Sequence, residues 1–175
     1  MPCWLKTRRL ALILLSAFIV GCRDQGARSR SYIAPDFQLK DLSGKTIQLK
    51  QYLGHPVLLD FWATWCAPCV FSIPSTQKFY EKNKDKGLVV LGLNMNEDPS
   101  EVFAFVNRMK MTYPVLYAGN SNVPGLYGLE GLPLFIVIDA KGQVVRRYDG
   151  FSPEVMADLE AQLTGLLSQS TKQYQ

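Results

Sequence analysis

Apolar and polar residues alternate twice near the start of the folded part of this chain. Phe37 and Leu39, then Ile47 and Leu49, lie either side of Ser43-Gly44-Lys45. Period-two alternation around a glycine turn predicts a β-hairpin, because successive strand side chains point to opposite faces. Gln51-Tyr52-Leu53 with Gly54 predicts one turn and a stop. The next stretch, Val57-Leu58-Leu59-Asp60-Phe61-Trp62, is almost continuously apolar and rich in Val, Leu and aromatics, which predicts a strand buried on both faces. After a turn at Ala63-Thr64-Trp65 the period changes. Val70, Ile73 and Tyr80 recur at helical spacing, so a strand feeds a helix beginning at Cys66, with a kink expected at Pro74.

The remainder repeats these signals. Lys82 to Gly87 is a charged exit, and Leu88 to Leu93 is a second buried strand. Asp98-Pro99-Ser100-Glu101 is a helix start, with Asp as cap and Pro at the first helical position. Val102, Phe103, Phe105, Val106 and Met109 give that helix its apolar face. Ala118 to Gly125 is loop-rich and leads to Leu126-Tyr127-Gly128-Leu129. Leu134 to Asp139 is a strand, Lys141-Gly142 a turn, and Val144 to Tyr148 the antiparallel partner. Ser152-Pro153-Glu154 opens a last helix carrying Val155, Met156, Leu159, Leu163 and Leu166. There is no internal repeat.

The N-terminal pattern is of another kind. Lys6, Arg8 and Arg9 precede an apolar run from Leu10 to Val20 broken only by Ser16. Eleven residues are too few to cross a bilayer, which takes roughly 20, so this reads as a secretory signal. It ends in Ile19-Val20-Gly21-Cys22, which resembles a lipoprotein processing site with Cys22 as the lipidated residue. The expected organisation is a signal peptide over 1–21, a lipid-anchored flexible tether over 22–33, a folded domain over 34–168 and a frayed tail over 169–175. The tether's Arg23, Arg28 and Arg30 fit either a solubilising linker or contact with anionic headgroups. The whole chain carries 19 Lys and Arg against 15 Asp and Glu. Three of those cations belong to the signal, so the remainder is nearly neutral and offers no basic stripe for nucleic acid.

Candidate chemistry lies at the strand–helix junction. Cys66 and Cys69 stand at i and i+3, within reach of one disulfide. At a helix N-terminus the unpaired N–H groups and the dipole favour a thiolate, so Cys66 is expected to ionise more readily than a free thiol. A zinc site lacks ligands, since His55, Cys3 and Cys22 are badly placed. A haem-attachment site needs His at position 70, which is Val. A structural disulfide across four residues would constrain the unfolded chain little. Thiol–disulfide exchange is what remains, with Cys66 attacking and Cys69 resolving.

Asp60-Phe61-Trp62-Ala63-Thr64-Trp65-Cys66-Ala67-Pro68-Cys69 resembles the active-site segment of thioredoxin-like proteins. The flanks resemble the membrane-anchored thiol-disulfide oxidoreductases of the TlpA/ResA type. The likeness runs from Ala34 to Leu167 through Pro35-Asp36-Phe37 with Gly44, Tyr113-Pro114-Val115, and Gly131-Leu132-Pro133 followed by Phe135-Ile136-Val137-Ile138-Asp139. It implies a thioredoxin-like three-layer α/β/α sandwich, with an N-terminal β-hairpin and a TlpA-type helical insertion. It further implies a cis Pro133 opposite the cysteines, with Trp65, Leu132 and Pro133 contacting substrate and Trp62 and Trp65 flanking the disulfide. No cofactor and no metal are implied. The implied partners are disulfide-bearing exported proteins and a membrane thiol-electron transporter, acting on an extracytoplasmic monomer.

Two departures stand out. The resembled proteins commonly carry Glu three residues after the second cysteine, where this chain has Ser72, and Asn at the position of Asp60. Thioredoxin itself has the aspartate, with a lysine near it where this chain has Gly92. The acid that handles the Cys69 proton is therefore expected at Asp60, with burial raising its pKa. Protein disulfide reduction, with cytochrome c maturation as one task, is the leading reading. Disulfide oxidation, a redox-sensing or binding lipoprotein, and a thiol peroxidase are the rivals. The last is disfavoured because Ala63 stands where peroxiredoxins carry Thr.

Overall fold

A computed structural model describes residues 32–96 and 98–172. Eight strands and four α-helices are described, with two short 3-10 helices at Leu49–Tyr52 and Lys84–Lys86. β1 is Tyr32–Ile33, β2 Gln38–Lys40, β3 Thr46–Gln48 and β4 Val57–Trp62, followed by α1, Ala67–Asn83, and β5, Val89–Asn94. Then come α2 Pro99–Met109, β6 Val115–Tyr117, α3 Val123–Leu126, β7 Leu134–Ile138, β8 Gln143–Asp149 and α4 Pro153–Lys172. β2 and β3 form the expected hairpin, with Leu39 opposite Ile47. The other six strands form one mixed sheet in the order β1-β8-β7-β4-β5-β6. β4, β5 and β6 run parallel, while β7 is antiparallel to β4 and β8 to β7.

The central strand divides the core by its alternation. Leu58 and Trp62 face one layer with Ile73 of α1, Val102 and Phe105 of α2, and Leu159 and Leu163 of α4. Leu59 and Phe61 face the other with Phe37, Leu39 and Ile47 of the hairpin region, and with Val123 and Tyr127. All six residues of β4 are buried, as the continuous apolar run requires. Asp60, between Leu58 and Trp62, therefore points into the layer that holds α1. The thioredoxin-like sandwich is present.

Three short elements differ from the sequence reading. β1 lies inside the segment assigned to the tether, and Tyr32 and Ile33 pair with Val144 and Gln143 of β8. A two-residue strand has no alternation to detect. β6 and α3 have only three and four residues, and α3 carries Pro124 and Gly125 in a stretch that reads as loop. At the other end α4 continues through Lys172, past the 168/169 boundary expected for a frayed tail. Its polar end stays helical with Ser168 and Ser170 hydroxyls donating to the Gly165 and Leu166 carbonyls. Pro74 lies inside α1 without ending it.

One close crossing sets the path beyond β5. Ala118 and Gly119 N–H groups both donate to the Asn94 carbonyl, at 2.9 and 3.1 Å. A Cβ at position 119 would lie 2.8 Å from the Met95 carbonyl oxygen, which is backbone and cannot swing aside. Gly119→Ala is therefore expected to lower stability by about 1–3 kcal/mol, read from urea unfolding of the oxidised protein. An unchanged midpoint would mean the crossing relaxes freely.

Candidate active site

Cys66 and Cys69 are joined in a disulfide, with S–S 2.05 Å and Cα–Cα 5.2 Å. Cys66 is the N-cap of α1, and its sulfur accepts the Cys69 backbone N–H at 3.2 Å. Pro68 falls in the first helical turn, where its missing N–H removes no intrahelical bond. The two sulfurs are not equivalent. Cys66 retains 5% exposure and opens on a groove of about 610 Å³, whereas Cys69 is fully buried. Trp65, Ala67 and Pro68 line that groove on one side, Met95 and the Leu129–Leu132 segment on the other.

The opposing wall is held from behind. The Leu132–Pro133 peptide is cis, and the Pro133 carbonyl accepts the Gly150 N–H at 2.8 Å. Arg147 of β8 donates to the Tyr127 and Gly128 carbonyls at 2.6 and 3.0 Å, while Asp149 receives its Nε and Nη2. That guanidinium fixes the chain just ahead of Leu129–Leu132. On the cysteine side, Thr64 is clamped by Asn96. The Thr64 N–H donates to Asn96 Oδ1 at 2.8 Å, and Asn96 Nδ2 reaches Thr64 Oγ1 at 2.6 Å and Glu101 Oε2 at 3.1 Å. Arg147 and Asn96 carry no motif, so sequence reasoning did not find them.

The tryptophans separate sharply. Trp62 is fully buried and packs on Phe105, ring centroids 5.1 Å apart. Trp65 is 70% exposed and lines the groove. A second cleft, of about 520 Å³, lies between Trp65 and α2.

α1 and β4 each carry a fully buried polar side chain. Ser72 is fully buried, and its hydroxyl donates to the Cys69 carbonyl at 3.0 Å, so it is occupied by its own helix. Asp60 is also fully buried. Burial pushes its pKa from the ordinary 3.8 to about 7, opposed by a hydrogen bond from Tyr113. Asp60 faces Gly92 across β4–β5 and Phe135 across β4–β7. Cys22 lies outside the described residues.

The AhpC/TSA family model matches residues 31–147. The chain belongs to the AhpC/TSA family. Within it, the chain is 38% identical over 117 residues to thiol-disulfide oxidoreductase ResA of Bacillus thuringiensis, covering 67% of this chain and 68% of that protein. ResA of Halalkalibacterium halodurans is 34% identical over 125 residues, 71% of each chain. A crystal structure of a Chlorobium tepidum protein, provisionally assigned as the thiol:disulfide interchange protein DsbE, superposes with TM-score 0.74. It is 33% identical and covers 78% of this chain and 96% of its own. This member of the AhpC/TSA family is a thiol-disulfide oxidoreductase of the ResA/DsbE type, built around the Cys66–Cys69 pair.

Asp60 also makes stability depend on pH. Its folded pKa lies above its ordinary value, so between about 4 and 7 the folded chain holds a proton that the unfolded chain has released. That stability is fully present below pH about 4 and is lost as pH rises through about 7. Asp60→Asn removes the titration. Urea unfolding of the oxidised proteins should show the variant gaining on wild type by about 2–4 kcal/mol from pH 4 to pH 8. A difference that does not change with pH would place the carboxyl in contact with water.

Proposed function

We propose that this chain is an exported, lipid-anchored disulfide reductase. Its substrates are disulfide-bearing extracytoplasmic proteins, and a membrane thiol transporter restores its dithiol. Cytochrome c maturation is the task that the resemblance suggests. The observation that carries the reading is the asymmetry of the pair: Cys66 opens on the groove and Cys69 is sealed beneath it. A partner disulfide can reach only Cys66. The Cys66 thiolate attacks one sulfur of that disulfide, a partner thiolate leaves, and a mixed disulfide remains. Asp60, as carboxylate, takes the Cys69 proton. The Cys69 thiolate then attacks Cys66 Sγ, the second partner thiolate leaves, and the chain keeps the intramolecular disulfide. Two electrons have passed from the dithiol to the partner.

Trp65 and Leu132, which line the groove, are proposed to contact the partner, with Pro133 shaping the wall behind Leu132. Reduction rather than oxidation is favoured by Ala67-Pro68 between the cysteines, where no histidine is present to stabilise the thiolate further. Peroxidase chemistry is disfavoured by Ala63.

Cys69→Ser should trap partners as stable mixed disulfides on Cys66, identified by mass spectrometry after expression in the native host. The pair's potential should lie nearer about −270 mV than about −120 mV. A value at the oxidising end overturns the direction assigned here and leaves the exchange chemistry standing. In stopped-flow Trp fluorescence, Asp60→Asn should leave the first attack nearly unchanged and slow mixed-disulfide release by roughly 10²–10⁴-fold. The anchor is tested separately: the protein expressed in a bacterium should incorporate palmitate and partition to membranes, and Cys22→Ser should abolish both. Unlabelled, soluble mature protein would remove the anchor.

A further inference from the structure

Tyr113 lies 53 positions from Asp60 in the chain, yet its hydroxyl donates to Asp60 Oδ2 at 3.1 Å. Both residues are buried, Tyr113 at 2% exposure and Asp60 at 0%. The other carboxylate atom, Oδ1, is buried and makes no hydrogen bond within the protein. We propose that Tyr113 is a positioning residue for the resolving step: its hydroxyl fixes one oxygen of Asp60 and leaves Oδ1 as the atom that takes the Cys69 proton. The inference rests on the reading of Asp60 as the base and adds the group that aims it.

The arrangement holding Tyr113 has three parts. On one side of it, Thr112 is tied to α1, its N–H donating to Gln77 Oε1 at 2.8 Å. On the other side, the Pro114 carbonyl accepts the Gly92 N–H at 2.8 Å, which docks the chain on β5 at the residue paired with Asp60. The ring meets Tyr80 of α1 edge-on, centroids 5.9 Å apart and planes at 74°. Gly92 is what admits it. A Cβ there would lie 3.0 Å from Tyr113 Cε2 and 3.0 Å from Trp62 Nε1. The missing side chain at position 92 and the hydroxyl at 113 are thus parts of one feature.

The chemistry suits a fixed donor. Burial first, then the neighbouring Asp60, raises the Tyr113 pKa well above its ordinary 10.0, so the phenol keeps its proton while Asp60 titrates. A donor that never ionises favours the carboxylate form and holds its orientation. The groups placed against Asp60 are Gly92 on β5, Phe135 on β7, and Tyr113 with Tyr80 behind it. Burial and Tyr113 are the influences on Asp60, and no Lys, Arg or His among the described residues contributes. The proton passes from Cys69 Sγ to Asp60 Oδ1, and Tyr113 exchanges none.

The test is Tyr113→Phe, which keeps the ring and removes the hydroxyl. Mixed-disulfide release is followed by stopped flow from pH 5 to 9 in wild type, Tyr113→Phe, Asp60→Asn and the double variant. Without the donor the carboxylate form is less favoured. The pH midpoint of release should rise by about one pH unit, with release about tenfold slower below the midpoint and the first attack by Cys66 unchanged. In the Asp60→Asn background, Tyr113→Phe should add nothing. A slower rate with an unmoved midpoint would make Tyr113 a packing residue and overturn the proposal. Wild-type release by Asp60→Asn would instead overturn the base assignment, which is a distinct outcome. Carboxyl ¹³C titration of Asp60 in the oxidised proteins checks the same shift without turnover, and an unchanged titration in Tyr113→Phe also overturns the proposal.

Discussion

A carboxyl group on the central strand, out of reach of water, is the constraint around which this structure is arranged. Asp60 interrupts an otherwise apolar strand, and its side chain enters the layer shared with α1. An ionised group there is costly, and the pKa of about 7 expresses that cost near neutrality. The neighbourhood is composed accordingly. Gly92 opens the space, Tyr113 supplies the one hydrogen bond, and Trp62 and Phe105 close the layer beside it. Replacing Asp60 by an apolar residue would make a more ordinary core and remove the buried carboxyl of the central strand.

The second constraint is access. Exchange needs one sulfur in contact with a partner and one withheld until the mixed disulfide forms. α1 provides this through its geometry, because Cys66 caps the helix at its rim and Cys69 lies one turn inward, against the sheet. The groove walls come from distant parts of the chain, so their spacing depends on cross-links away from the chemistry. Asn96 ties Thr64 toward α2, and Arg147 ties the 127–128 carbonyls to β8. Loosening either would change the spacing of the groove walls.

Periodicity made most of the fold legible. The hairpin, β4, α1, β5, α2, β7, β8 and α4 each contain enough residues to display period two, a helical stripe or an unbroken run. β1, β6 and α3 contain two to four residues and display none, so the boundary drawn at residue 34 fell just inside the sheet. The cysteine pair and Leu132-Pro133 were legible because the chemistry is carried by adjacent residues. Asp60 stood out only against the residue types expected around it. Tyr113 was visible as part of Tyr113-Pro114-Val115, one of the features that carry the family resemblance, but its bond to Asp60 was not. That contact spans 53 positions and depends on a side chain that position 92 does not have.

Placing the acid on the strand rather than on the helix has a physical consequence. A Glu at position 72 would ride on α1 with the cysteines, on a long side chain with several rotamers to restrict. Asp60 instead has a short side chain on a backbone paired on both sides, to Gly92 and to Phe135. Its carboxyl can rotate about few bonds, and Tyr113 restrains one oxygen. Ser72 returns its hydroxyl to the helix at the Cys69 carbonyl. The acceptor proposed for the Cys69 proton thus belongs to the sheet, held by pairing on both sides, while the sulfurs belong to the helix end where their bonds change.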